Sequence, residues 1–232
     1  MRALLVLVVA ALVAALCPPA PGEASTDSVT LGGVRVRLGA GTTQVVTVNR
    51  SHGFHARVSL WVLADGRWAR RLTTTDGRIG YAGLTDPDTR VEGSGTTPLG
   101  TYDLTSSFGT HRRAASWDVA YHRIRGGDYW VGDNRSAYYN RLRAKSAGGF
   151  RWWIPAGADD SSEHLVHYRS QYEYAFVTSF NAAQVRRRGF AIFLHVNGRG
   201  ATAGCVSVPQ AVMRRLFRAL TPAGHPVIAI GR

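Results

Sequence analysis

The strongest constraint in this sequence is a two-residue alternation near its beginning. VRVRL at 34–38 and ARVSLWVL at 56–63 set apolar residues against others at every second position. That period sends successive side chains to opposite faces of a sheet. Between them QVVTVNR, rich in β-branched residues, follows a Gly-Thr-Thr turn. Asp65-Gly66 comes next, a strong hairpin signal, and Asp76-Gly77 repeats it. The pattern predicts antiparallel hairpins and excludes a βαβ series.

The rest of the chain continues in that style. Residues 85–110 are rich in Asp, Pro, Gly and Thr, with Pro98 and Gly100 shaping a turn before the strand TYDLT. From Trp117 to Tyr139 the chain is aromatic, with turns at Gly126-Gly127 and around Asp133-Asn134. Most of these rings are expected to pack under loops, and the stretch is a candidate cover for a groove. Tyr172, Tyr174 and Phe176 alternate as on a strand face. GFAIFLHV is an apolar run of strand length that delivers His195 near its end. The period then changes. Val212, Met213, Leu216, Phe217 and Leu220 form a helical stripe over 209–220, with Ser207 as expected N-cap and Pro209 in the first turn. Thr221-Pro222 and Gly224 stop the helix, and HPVIAI is the closing strand. The expected class is mainly β with one clear helix.

MRALLVLVVAALVAALC has one positive charge and an apolar run shorter than the roughly 20 residues of a spanning helix. Gly22 and Ala24 sit at the small-residue positions of a cleavage site. Residues 1–24 therefore read as a secretory signal peptide. Leu16 stands where a lipobox before Cys17 wants a small residue. No second apolar span follows, so the mature chain, 25–232, is expected to be extracytoplasmic, without a transmembrane segment, and monomeric. Its formal charge is +13. Export and scattered arginines exclude nucleic acid as partner and suit anionic cell-wall polymers.

Cleavage leaves Cys205 as the lone cysteine, which no intrachain disulfide explains. A strand carries His195, and a Gly-containing loop through Asn197, Gly198 and Gly200 returns to Gly204-Cys205. Free cysteine usually packs as a small hydrophobe. A base at His195 and the positive end of the following helix would instead favour its thiolate. Backbone N–H groups at Gly204 and Cys205 could face an oxyanion. A zinc site built with His164 and His167 fits no standard spacing, and a strand would send those two histidines to opposite faces. Papain-like peptidases run in the opposite order, cysteine before histidine.

FLHVNGRGATAGCVSV resembles the active-site segment of the L,D-transpeptidases, the YkuD-type domain, in which a strand-borne histidine leads through a Gly-rich loop to Ser/Thr-His-Gly-Cys. His195, Thr202, Gly204 and Cys205 match in order, and GRIGYAG and EGSGTTPLGTYDL resemble upstream pieces. The resemblance implies a mixed β-sandwich catalytic domain over 43–232, after a short entry segment, 25–42. It implies Cys205 as nucleophile, His195 as base oriented by a backbone carbonyl just after it, and Gly204 in the oxyanion hole. Thr202, His164, Arg169 and Tyr172 are the candidate substrate contacts. It implies peptidoglycan stem peptides as substrate, with 3→3 cross-links made without cofactor or metal in cell-wall biogenesis. Two positions depart from the family. Its second histidine is Ala203 here and its arginine two residues after the cysteine is Ser207. A carboxypeptidase or hydrolase on the same site, and a non-catalytic wall-binding module, are the alternatives.

Overall fold

The computed structural model describes residues 27–232. The expected signal peptide and Cys17 lie outside the described residues. The chain opens with a hairpin of β1 (Ser28–Leu31) and β2 (Val34–Arg37). Three long antiparallel strands follow: β3 (Gln44–His52), β4 (His55–Ala64) and β5 (Arg67–Arg78). Asp65 and Gly66 turn β4 into β5 with φ of 50° and 72°, as a type I′ hairpin requires. Asp76-Gly77 does not turn. It stays inside β5, against the expectation. Gly77 serves a close strand approach instead: a Cβ there would lie 2.7 Å from the Ala56 carbonyl oxygen.

Two short strands, β6 (Leu84–Thr85) and β7 (Thr97–Pro98), pair across the Gly-rich loop. Then come β8 (Gly100–Gly109) and β9 (Tyr121–Arg123). A small separate sheet contains β10 (Asp128–Trp130), β11 (Leu142–Ala144) and β12 (Glu163–His164). The chain returns to the main sheet with β13 (Tyr174–Thr178), β14 (Phe193–Val196) and β15 (Val206–Val208). The helix α1 (Gln210–Ala219) and β16 (Val227–Gly231) complete it.

The main sheet runs β13-β14-β15-β5-β4-β3-β16-β8-β9, and β13 also pairs with β8. The sheet is mixed, since β14–β15 and β16–β3 are parallel, and it closes on itself. The mainly β architecture with one helix is thus present as expected. Strand alternation divides its core. Val206, Val208, Leu194, Phe176 and Ile228 join Met213, Leu216 and Phe217 of α1 on one face. Phe108, Ala175, Val177, Phe193 and Cys205 lie on the opposite face, under Trp130, Leu165 and Tyr172. The hairpin β1–β2 covers a third patch, Val45, Val227 and Ala229.

Three local expectations change. Tyr172 belongs to a 3-10 turn at Gln171–Glu173 rather than to β13, so it packs on the Cys205 face while Tyr174 and Phe176 pack on the other. Ser207 does not cap α1. It lies within β15, and Pro209 occupies the cap position without a side-chain bond. Most aromatics between Trp117 and Tyr139 are packed, as expected, and none lines the cavity at Cys205. Trp117, Tyr129, Trp130 and Tyr139 are buried in the core.

Candidate active site

Two parallel neighbours, β14 and β15, carry the site. Their register pairs His195 with Ser207 and Leu194 with Val206. Cys205, just before β15, is therefore a diagonal neighbour of His195 on the same face. Strand spacings of about 4.8 Å across and 3.3 Å per residue along put their backbones roughly 8 Å apart. Both side chains are buried.

His195 Nδ1 lies 2.8 Å from the Val196 carbonyl oxygen. A carbonyl only accepts, so Nδ1 carries the proton and Nε2 keeps a bare lone pair. The edge of the His195 ring meets Tyr172 at a centroid distance of 5.5 Å. Burial holds the imidazole down to about 4, with the Val196 bond opposing, so the ring is a neutral base at pH 7.

The thiol is held at the start of β14. Its S–H donates to the Ala191 carbonyl at 3.1 Å, and Sγ accepts from the Phe193 N–H at 3.3 Å. Among the described residues no hydrogen bond joins it to His195. Burial pushes the thiol up to about 12, the Glu163 charge adds to the rise, and the Phe193 N–H and Arg90 oppose it. The expected help from the helix dipole is absent. α1 begins beyond β15 and packs on the opposite face from Cys205. Proton transfer to His195 therefore requires the thiol to turn from Ala191 toward Nε2.

The Gly204-Cys205 turn is clamped by Thr202. Its hydroxyl donates to the Cys205 carbonyl at 2.6 Å and accepts from the Gly204 N–H at 3.2 Å. Gly204 has φ of 139°, and a Cβ there would lie 2.9 Å from the Thr96 carbonyl oxygen, so only glycine fits. Ser207 is fully buried, with its hydroxyl donating to Asn197 Oδ1 at 2.8 Å. An arginine has no room at that position.

A cavity of about 370 Å³ opens onto Cys205 and Ala203, walled by Arg90, Glu92, Glu163 and Tyr168. Tyr172 packs in the core cluster with Cys205, and its hydroxyl donates to Glu163 Oε2 at 2.6 Å. Burial raises the Glu163 carboxyl to about 7, and the Tyr172 hydroxyl opposes that rise. None of the four expected substrate contacts, Thr202, His164, Arg169 and Tyr172, is among the cavity-lining residues. His164 stacks on Tyr129 at 4.3 Å, and its Nε2 meets the Gly126 carbonyl oxygen at 2.7 Å. A 3-10 turn at Leu165–Tyr168 brings His167 Nε2 within 3.1 Å of His164 Nδ1, so the two do not sit on opposite strand faces. Among the described residues no group of three His, Cys, Asp or Glu side chains is placed to hold a metal.

A strand-borne histidine oriented by its neighbour's carbonyl, set beside a Gly-Cys turn, matches a known family. The model of the YkuD L,D-transpeptidase catalytic domain matches residues 43–228. The chain belongs to the YkuD family. Among solved structures, a point variant of the helical cell shape determining protein Pgp2 from Campylobacter jejuni is 13% identical, with a TM-score of 0.43, covering 82% of this chain and 47% of that one. L,D-transpeptidase 1 of Mycobacterium tuberculosis is 16% identical (TM-score 0.34, 81% and 61% covered), and an L,D-transpeptidase of Mycobacterium smegmatis 11% (0.35, 88% and 66%). The chain thus spans about half to two thirds of the length of these proteins. No curated protein matches it.

Two residues of this YkuD domain escaped sequence reasoning. Glu163 stands next to His164, the residue that the residue types favoured, yet it is Glu163 that enters the cavity. Arg90 sits in a Gly- and Thr-rich loop that looks solvent-exposed, yet it is only 6% exposed. No periodic signal marks either one.

Proposed function

We propose that this protein is an exported peptidoglycan L,D-transpeptidase with Cys205 as nucleophile and His195 as general base. One observation carries the reading: the His195 Nδ1–H···O=C bond to Val196, which leaves Nε2 free beside the lone described cysteine at a cavity. Nε2 takes the thiol proton, and Sγ adds to the carbonyl of the third residue of a stem tetrapeptide. The C–N bond then breaks. The leaving D-alanine takes the proton back from Nε2, and a thioester remains. An amine on a neighbouring stem attacks that thioester to give a 3→3 cross-link, whereas water would give a tripeptide. The net charge of +13 favours retention of the protein at anionic wall polymers.

The high thiol pKa and the absence of a Cys205–His195 bond favour a second reading, a wall-binding module that keeps the fold without turnover. Both readings are separated by incubating the protein with disaccharide-tetrapeptides and weighing the products. Dimers lacking one D-alanine are expected, and Cys205→Ala should abolish them while wall binding persists. Tripeptide monomers alone would replace transfer by hydrolysis. No product and no carbapenem adduct at Cys205 would sink the acyl-enzyme reading altogether.

A further inference from the structure

The Gly204-Cys205 turn leaves the oxyanion site short of donors. The Gly204 N–H, an expected member, is already bonded to Thr202 Oγ1. The Cys205 N–H makes no hydrogen bond among the described residues. A second free donor comes from a different part of the chain. Arg90 lies in the loop between β6 and β7, and its Nε donates to the Thr96 carbonyl and its Nη1 to the Arg188 carbonyl, both at 2.9 Å. Nη2 has no hydrogen-bond partner among the described residues. No fully enclosed side-chain nitrogen or oxygen in those residues lacks a partner, so Nη2 keeps exposed surface, and Arg90 lines the cavity that Cys205 also lines.

The guanidinium is built into this place. A Cβ at Gly189 would lie 1.7 Å from Nη1, and one at Gly204 would lie 2.9 Å from Nη2. Both glycines hold φ above 100°, a conformation that other residues rarely adopt. Two carbonyls and two glycines thus fix a permanently charged fork against the turn that carries the nucleophile. An unpaired cation in a low-dielectric pocket favours an anion placed against it.

We propose that Arg90 is a catalytic residue whose Nη2–H, together with the Cys205 N–H, holds the alkoxide oxygen formed when the thiolate adds to the substrate carbonyl. This rests on Cys205 being the nucleophile. The C–S bond forms as the carbonyl π pair moves onto oxygen. Arg90 and Cys205 hold that charge by hydrogen bonds. The pair returns to rebuild the C=O bond as the C–N bond breaks, and His195 Nε2–H protonates the leaving amine. Arg90 neither gains nor loses a proton.

The test compares two reactions of the same thiol. Iodoacetamide alkylates it by displacing iodide, with no carbonyl addition, whereas a tetrapeptide donor acylates it through an oxyanion. Arg90→Lys keeps the charge but loses the fork. It should slow acylation about 100- to 1,000-fold, in kcat rather than KM, as does removal of one such donor elsewhere. Alkylation should stay near the wild-type rate. The donor is used both as free acid and as C-terminal amide, and both should slow alike. Because Arg90 also holds two backbone carbonyls, thermal melting is recorded for each variant. Gly189→Ala retains Arg90 but displaces the fork, and it should reproduce the acylation defect. An equal loss in alkylation would make Arg90 a thiolate partner instead. A loss confined to the free acid would make it a reader of the substrate carboxylate. Either result, or undiminished acylation in a folded variant, overturns the assignment. A wild type that no donor acylates sinks the transpeptidase reading and Arg90 with it; an acylated wild type beside an equally fast folded variant sinks Arg90 alone.

Discussion

At the scale of the residue, the site is defined by two buried groups whose neutral forms the fold favours. His195 is held down to about 4 by burial, below the ordinary value of 6.5. A group whose folded pKa is depressed and whose charged form is the protonated one binds fewer protons folded than unfolded. Its stability is present above pH 6.5 and is lost as pH falls toward 4. We expect the stability difference between wild type and His195→Gln to shrink by about 3 kcal/mol from pH 7 to pH 3.5. Urea midpoints across that range measure it, and a constant difference would refute the burial argument. Cys205 works in the other direction. Its raised thiol pKa keeps the sulfur protonated at neutral pH, as a thiol bonded to the Ala191 carbonyl, and under the proposed mechanism that is the starting state.

At the scale of the element, the position of that resting thiol depends on a segment far away in sequence. Ala191, just before β14, has φ of 54°, a conformation that costs a non-glycine residue of order 1–3 kcal/mol. Asn140 holds it there. Its Oδ1 accepts from the Ala191 N–H at 3.1 Å and from Trp130 Nε1 at 2.8 Å, and its Nδ2 donates to the carbonyls of Phe180 and Asn181. Asn140→Ala should cost about 3 kcal/mol or more, since it strands three buried groups and a half-buried carbonyl. It should also release the Ala191 carbonyl and speed alkylation of Cys205 in the folded protein. Chemical denaturation and iodoacetamide labelling read the two effects separately. The small sheet of β10, β11 and β12 has the same kind of support. Asp133, 2% exposed, pairs with Arg151, which also reaches Asp160. Burial alone would raise the Asp133 carboxyl, but Arg151 and two backbone N–H groups bring it down to about 2. These contacts hold the wall that faces Cys205.

At the scale of the whole molecule, the main sheet closes through β13, and the hairpin β1–β2 covers the strands that lie far from the site. Leu31, Val34 and Val36 are almost fully buried against Val45, Val227 and Ala229. A chain starting at Thr43, where the family match begins, should lose on the order of 5 kcal/mol through their exposure. Its melting temperature should fall well below that of a chain starting at Ser25, and equal melting would show the hairpin to be dispensable. Much of this architecture could be read from the residues. Alternation in 34–38 and 56–63, Asp65-Gly66, the apolar run into His195 and the stripe from Val212 to Leu220 all describe local periods, which depend on near neighbours alone. The pairing of Cys205 with the His195 strand was legible for the same reason, because only ten residues separate them. Other features were not legible. Asp76-Gly77 stays in a strand because Ala56 presses against it, Tyr172 changes face because a 3-10 turn intervenes, and the α1 dipole misses the thiol because β15 separates them. Arg90, Glu163 and Asn140 reach the site from loops and short strands tens of residues away. The sequence by itself determined most of the elements and the neighbouring placement of His195 and Cys205, since both are written in short-range periods and spacing. Only the tertiary structure decided the surroundings of the thiol, since burial, charge and the aim of a hydrogen bond depend on which distant segments close over it.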